Sequence, residues 1–182
     1  MTAAPTAHPR RHGVRAGWTL TELLVAMAIL AGLAALLTPA TDLLSARVRQ
    51  IQCLQNLRNI GSAMQLYAQD HDGTMPNMAA ARLSREDEAP ALDTVLADYV
   101  KDPRVFRCPA DNAKRLWEST GTSYHWNSAV NGQKIQNLQF LGGGDTSRIP
   151  LVGDKEGFHE GCPQKVNILY ADGRSSNQLS FR

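Results

Sequence analysis

Four residues beyond position 100 carry thiol and imidazole chemistry: Cys108, His125, His159 and Cys162. These are the donor types that a zinc ion takes. Their spacing speaks against such a site, because neither C-x-x-C nor H-x-x-H occurs among them. Asp145, Asp154 and Asp172 are loop acids, hard oxygen donors of the kind that suits Ca²⁺. Turn aspartates also serve to satisfy local backbone donors, so the three leave the metal unassigned. Asp70 and Asp72 flank His71 in an arrangement resembling a catalytic dyad, but a solvated helix end accounts for them more simply. The stretch LGGGD at 141–145 lacks the Lys-Ser/Thr of a phosphate-binding loop and reads as a plain loop. With no Ser or Cys nucleophile motif in the chain, no enzyme is expected.

The elements that must hold these residues begin with an unusual N-terminus. From Leu23 to Thr41 run 19 residues without a charge. At about 1.5 Å per helical residue this approaches the roughly 30 Å of a hydrocarbon core. Residues 1–17 hold Arg10, Arg11 and Arg15 and no acid, so the positive-inside rule places them in the cytoplasm and everything after Thr41 outside. Without residues 1–17 the chain has 16 basic against 17 acidic residues, a balance that argues against a nucleic-acid-binding surface. A secretory signal peptide is the competing reading of a basic start and an apolar run. The run is long for that purpose, and TPA at 38–40 is a poor cleavage site. Glu22, at the edge of the apolar block, is the residue that neither a signal peptide nor a simple anchor explains, since an ionised carboxylate at membrane depth is costly. Snorkelling to the interface is the alternative account of it.

The block GWTLTELL at 17–24 resembles the type III signal of type IV pilins and type II secretion pseudopilins. In that family a prepilin peptidase cuts after a glycine and methylates the new N-terminus. The resemblance implies cleavage between Gly17 and Trp18 and methylation of the Trp18 α-amino group. Glu22 is then the fifth mature residue and Pro39 the twenty-second, positions of the family's acid and its helix-kinking proline. Trp18 stands where phenylalanine is more usual. CLQNLRNIGSAMQLYAQDHDGTMP at 53–76 resembles the helix continuation of bacterial pseudopilin-like proteins, and VFRCPAD at 105–111 and VNILYADGRSS at 166–176 resemble their C-terminal blocks. That subgroup has a histidine nine residues before the final Asp-Gly. Here twelve residues separate His159 from Asp172, which is read as an inserted loop.

The resemblance implies a structural subunit of a type II secretion pseudopilus, assembled through its N-terminal helix. In such a filament Glu22 pairs with the α-amino group of a neighbouring subunit and so fixes the axial register. A type IV pilus subunit for adhesion or motility, and a membrane-anchored periplasmic binding module, are the alternatives. Implied partners are the prepilin peptidase, further copies and other pseudopilins, and the inner-membrane secretion machinery. The implied location is the inner membrane, single-pass, with the head in the periplasm. No cofactor is required; calcium, which occurs in the heads of some pseudopilins, is the cation that Asp145, Asp154 and Asp172 would take. In an oxidising periplasm Cys108 and Cys162, each followed by proline, suit a disulfide, leaving Cys53 free on the helix.

The expected fold is α+β, a ladle whose long helix packs on a small antiparallel sheet. Residues 1–17 form the leader, 18–41 the membrane-spanning and assembly half of the helix, 42–72 its amphipathic half, and 73–182 the head. Leu44, Val48, Ile51, Leu54, Leu57, Ile60, Met64 and Tyr67 recur every three or four residues, predicting a stripe that packs on the head. The helix should run from Thr19 to Asp70 and stop at DHDGTMP. Pro90 opens a short helix over 89–100, and the runs at 122–130, 148–156 and 165–173 predict strands.

Overall fold

The structure is a computed structural model that describes residues 17–178, and of residues 36–40 the backbone alone. The leader therefore lies outside the described residues apart from Gly17, and Pro39 is seen only as a member of a helix. Two compact units divide between Ala40 and Thr41. Helix α1, Leu20–Asp70, belongs to both.

In the first unit, helix α1 starts on a reciprocal cap. The Glu22 N–H donates to Thr19 Oγ1 at 3.2 Å, while the Thr19 N–H donates to Glu22 Oε2 at 2.8 Å. This is the T-x-x-E capping box, which satisfies two of the orphan donors of a helix start. Beyond it Leu23, Leu24, Ile29, Leu30 and Leu33 are all exposed. Among the described residues no helix is long and apolar enough to cross a membrane. The apolar side chains described run to Ala35, whereas the uncharged stretch continues to Thr41.

In the second unit, α1 is the spine of the core. Ala46, Gln50, Cys53, Leu57, Ile60, Met64 and Ala68 are buried, at intervals of three or four that keep them on one face. The stripe expected from the sequence is thus corrected in its first half. Leu44, Val48 and Ile51 are exposed, and the line of contact runs instead through Ala46, Gln50 and Cys53. Small and polar residues occupy it because the head comes close there: the Gln50 amide donates to the Gln164 carbonyl at 3.0 Å, and a Cβ on Gly161 would lie 3.7 Å from Ala46 Cβ. Gly61 is crowded for the same reason, since a Cβ there would stand 3.1 Å from a Leu169 methyl. The helix ends as expected. Asp72 (φ 53°) and Gly73 (φ 74°) turn left-handed, and the Gly73 N–H returns to the Ala68 carbonyl at 2.6 Å.

The head is α+β. A four-stranded antiparallel sheet has the order β1 (Tyr124–Trp126), β2 (Pro150–Asp154), β3 (Ile168–Tyr170), β4 (Ser175–Ser176). Tyr124 pairs with Asp154, and Val152 with Leu169. The first three strands fall within the runs expected, and β4 follows them as the fourth strand of a sheet expected to have three or four. Two short helices, α2 (Leu92–Val95) and α3 (Leu116–Thr120), and a 3-10 turn at Pro103–Phe106 fill the space before the sheet. Trp126, Tyr124, Phe106 and Leu169 close the core against Leu57, Ile60 and Met64 of α1. Burial of side chains of this size, each contributing about 1.5–3 kcal/mol, holds sheet and helix together.

Candidate functional site

Cys53, Cys108, Asp154 and His159 converge where α1 meets the sheet. Each offers one ligand atom, and these atoms all lie within 4.8 Å of one another. All four side chains are buried, with residue exposures of 0, 0, 3 and 2%. They come from four places. Cys53 sits on the buried face of α1. Cys108 follows the Pro103–Phe106 turn, its N–H held by Ser123 Oγ at 3.0 Å, and that hydroxyl in turn donates to Asp111 at 2.8 Å. Asp154 ends β2, and its carboxylate accepts from the Asn167 N–H at 2.8 Å. His159 lies in the loop between β2 and β3, with its N–H 3.3 Å from the Lys165 carbonyl.

The contacts inside the group are close. Cys53 Sγ donates to Asp154 Oδ1 at 3.1 Å and lies 3.4 Å from the Tyr124 hydroxyl. His159 Nε2 is 3.3 Å from Asp154 Oδ2, 3.5 Å from Cys108 Sγ and 2.6 Å from the Asn167 amide nitrogen. Burial, and then the hydrogen bond with Cys108, push the Cys53 thiol well above its ordinary range. Burial pulls the His159 imidazole down, but its hydrogen bonds with Asp154 and Cys53 and the charges of both outweigh this and carry it up to about 9. Burial likewise raises the Tyr124 phenol. His159 Nδ1 and Asn167 Oδ1 are buried without a hydrogen-bond partner. A surface cleft of about 430 Å³ borders His159 and is lined also by Ala46, Arg49, Lys114 and Phe158.

Several expectations change here. All three cysteines are free thiols, so the Cys108–Cys162 bridge is replaced by a Cys108 that faces His159 and Cys53. Cys162 lies instead in the β2–β3 loop, where its N–H donates to the His159 carbonyl at 3.1 Å. The three loop acids are not brought together. The Asp145 carboxylate accepts from Ser147 at 2.6 Å and pairs with Arg148, Asp172 accepts from the Arg174 N–H at 2.9 Å, and only Asp154 joins the buried group. His125 projects from β1 outside the group, its imidazole lowered chiefly by burial. His71 stacks on Tyr67 with ring centroids 3.8 Å apart, as a helix-end residue.

Sequence reasoning missed Cys53, because its partners lie far along the chain: 101 residues separate it from Asp154. It also missed Thr19, although T-x-x-E ahead of an apolar run is a local and readable signal. The cap gives Glu22 a partner within its own chain. No family model matches the chain, and no curated protein or solved structure matches it.

Proposed function

We propose that this chain is a prepilin-type structural subunit, cleaved after Gly17, methylated on Trp18 and polymerised through α1 into a pseudopilus that serves type II secretion. One observation carries the reading. Helix α1 runs unbroken for 51 residues and leaves its large apolar side chains exposed, from Leu20 to Leu33 and again at Leu43, Leu44, Val48 and Ile51. An apolar surface of that extent calls for a cover. In this reading lipid covers the first part before assembly and neighbouring helices cover both parts after it. Glu22 supplies the charge that would pair with a neighbour's α-amino group, and the cap with Thr19 holds its carboxylate toward the helix start until then.

The test has two arms. Intact mass and N-terminal sequencing of the protein from host membranes should show a chain beginning at Trp18 with one added methyl group; a chain beginning at Met1 or near Thr41 sinks the reading. Glu22→Leu removes both charge and cap, so Glu22→Gln is the sharper variant, since a glutamine oxygen still accepts from the Thr19 N–H. Glu22→Gln should insert and fold like the parent but fail to form filaments visible by electron microscopy.

A further inference from the structure

We propose that Cys53, Cys108, Asp154 and His159 form a closed, structural binding site for a zinc ion that locks α1 to the head. The donor set is the first argument. Two thiols and an imidazole are the ligands that select zinc over magnesium or calcium, and a carboxylate is an accepted fourth. With both thiols ionised the ligand set and Zn²⁺ sum to a charge of about −1, between the values of about 0 for Cys₂His₂ and about −2 for Cys₄ sites.

Geometry is the second argument. A tetrahedron with bonds of about 2.0–2.3 Å to nitrogen, oxygen and sulfur has edges of about 3.3–3.8 Å. The His159 Nε2 to Asp154 Oδ2 separation is 3.3 Å and the Cys108 Sγ to His159 Nε2 separation is 3.5 Å. Hydrogen bonds alone account poorly for this crowding. Nε2 has either one proton or one lone pair, yet Asp154, Cys108 and Asn167 all stand within hydrogen-bonding range of it. One cation serves the carboxylate, the ring nitrogen and both sulfurs at once, whereas one proton serves a single pair.

The third argument rules between zinc and a Cys53–Cys108 disulfide, the other fate open to two thiols this close. A disulfide would leave the buried Asp154 carboxylate and His159 imidazole without the sulfur contacts they make now. Burying a carboxylate with fewer partners is unfavourable. Binding releases the two thiol protons to solvent and changes no oxidation state. The ion would tie the middle of α1 to the Pro103–Phe106 turn, to the end of β2 and to the β2–β3 loop. Its role is therefore to fix the helix in the head, and it does not depend on what the helix assembles into.

The experiment uses the full chain in detergent, purified without chelator, with metal content measured by mass spectrometry and thiols quantified after denaturation. Close to one zinc per chain is expected, together with a thermal midpoint that drops on chelation and recovers with added Zn²⁺. Cobalt(II) exchanged into the site should show thiolate charge-transfer absorption. Cys53→Ser and Cys108→Ser should each remove the zinc, and Cys162→Ser, outside the group, should retain it. Because loss of the metal in the first two variants is not separable from loss of their fold, the parent's own zinc content and the Cys162→Ser control carry the decision. Parent protein without zinc that takes up none when Zn²⁺ is added, or that carries a Cys53–Cys108 disulfide, overturns the proposal. So does zinc that disappears equally in Cys162→Ser.

Discussion

Arg82 and Asp93 form an ion pair inside the head, and breaking it from one side should cost more than removing it altogether. The Arg82 side chain is 6% exposed and that of Asp93 14%. Arg82 Nη2 donates both to Asp93 Oδ2 and, at 3.1 Å, to the Thr120 carbonyl at the end of α3, so the pair joins α2 to α3. Two polar atoms of the pair, Arg82 Nε and Asp93 Oδ1, already lack partners. Asp93→Ala therefore leaves a buried guanidinium with little more than carbonyl oxygens, at a cost of about 3–5 kcal/mol. Arg82→Met should cost less, because Lys155 lies close enough for its charge to act on Asp93. The double variant Arg82→Met with Asp93→Ala strands no charge and should fall well short of the sum, by about 2 kcal/mol or more. With a urea slope of about 2 kcal/mol/M, a loss of 4 kcal/mol moves the unfolding midpoint by about 2 M, which the fluorescence of buried Trp126 can follow. Single variants that each cost under about 1 kcal/mol, or a double variant equal to the sum, would refute the reasoning.

Gly121 packs its backbone against the same pair at φ +92°, and a Cβ there would collide with Asp93 and Arg82. Gly121→Ala should thus lose about 3 kcal/mol or more in the same denaturation assay. Gly61→Leu should push α1 off Leu169 and cost about 1–3 kcal/mol, against less than 1 kcal/mol gained in helix propensity, so its unfolding midpoint should fall. Leu44→Lys and Ile51→Lys, at positions 66% exposed, should leave the unfolding free energy within about 0.5 kcal/mol of the parent while abolishing the proposed filaments in electron micrographs.

The sequence made the local elements readable and the long-range ones obscure. Helix α1 could be placed to within a residue, because apolar spacing and the Asp-Gly stop are properties of neighbouring positions. The strands at 124–126, 150–154 and 168–170 could be seen for the same reason. What failed was the choice of the face that α1 buries. Between residues 44 and 53 the largest apolar residues are Leu44, Val48 and Ile51, and periodicity favours them over Ala46, Gln50 and Cys53. Only the tertiary approach of the loop around Gly161 and Gln164 decides otherwise. The buried thiol site was hidden more deeply. Its four members are spread from α1 to the β2–β3 loop; only Asp154 and His159 are near neighbours in sequence, and both thiols lie far from them, so no motif spacing could reveal it.

That misplaced face bears on the function. Were α1 shaped only to support the head, the three large side chains of Leu44, Val48 and Ile51 would be expected inside, where each contributes about 1.5–3 kcal/mol. Instead they stand exposed at i, i+4 and i+7 while a glutamine and a cysteine are buried beside them. Such spacing makes a straight apolar ridge, the form that packs into the groove of another helix. A zinc ion at Cys53 would compensate for the polar residues on the buried face and hold α1 in this rotation, keeping the ridge outward. The same rotation that assembles the buried cluster would thus supply the surface that the proposed polymerisation requires. Loss of the metal should then weaken filament formation even though no ligand lies on the ridge itself, and filaments that form equally well from zinc-free protein would separate the two roles.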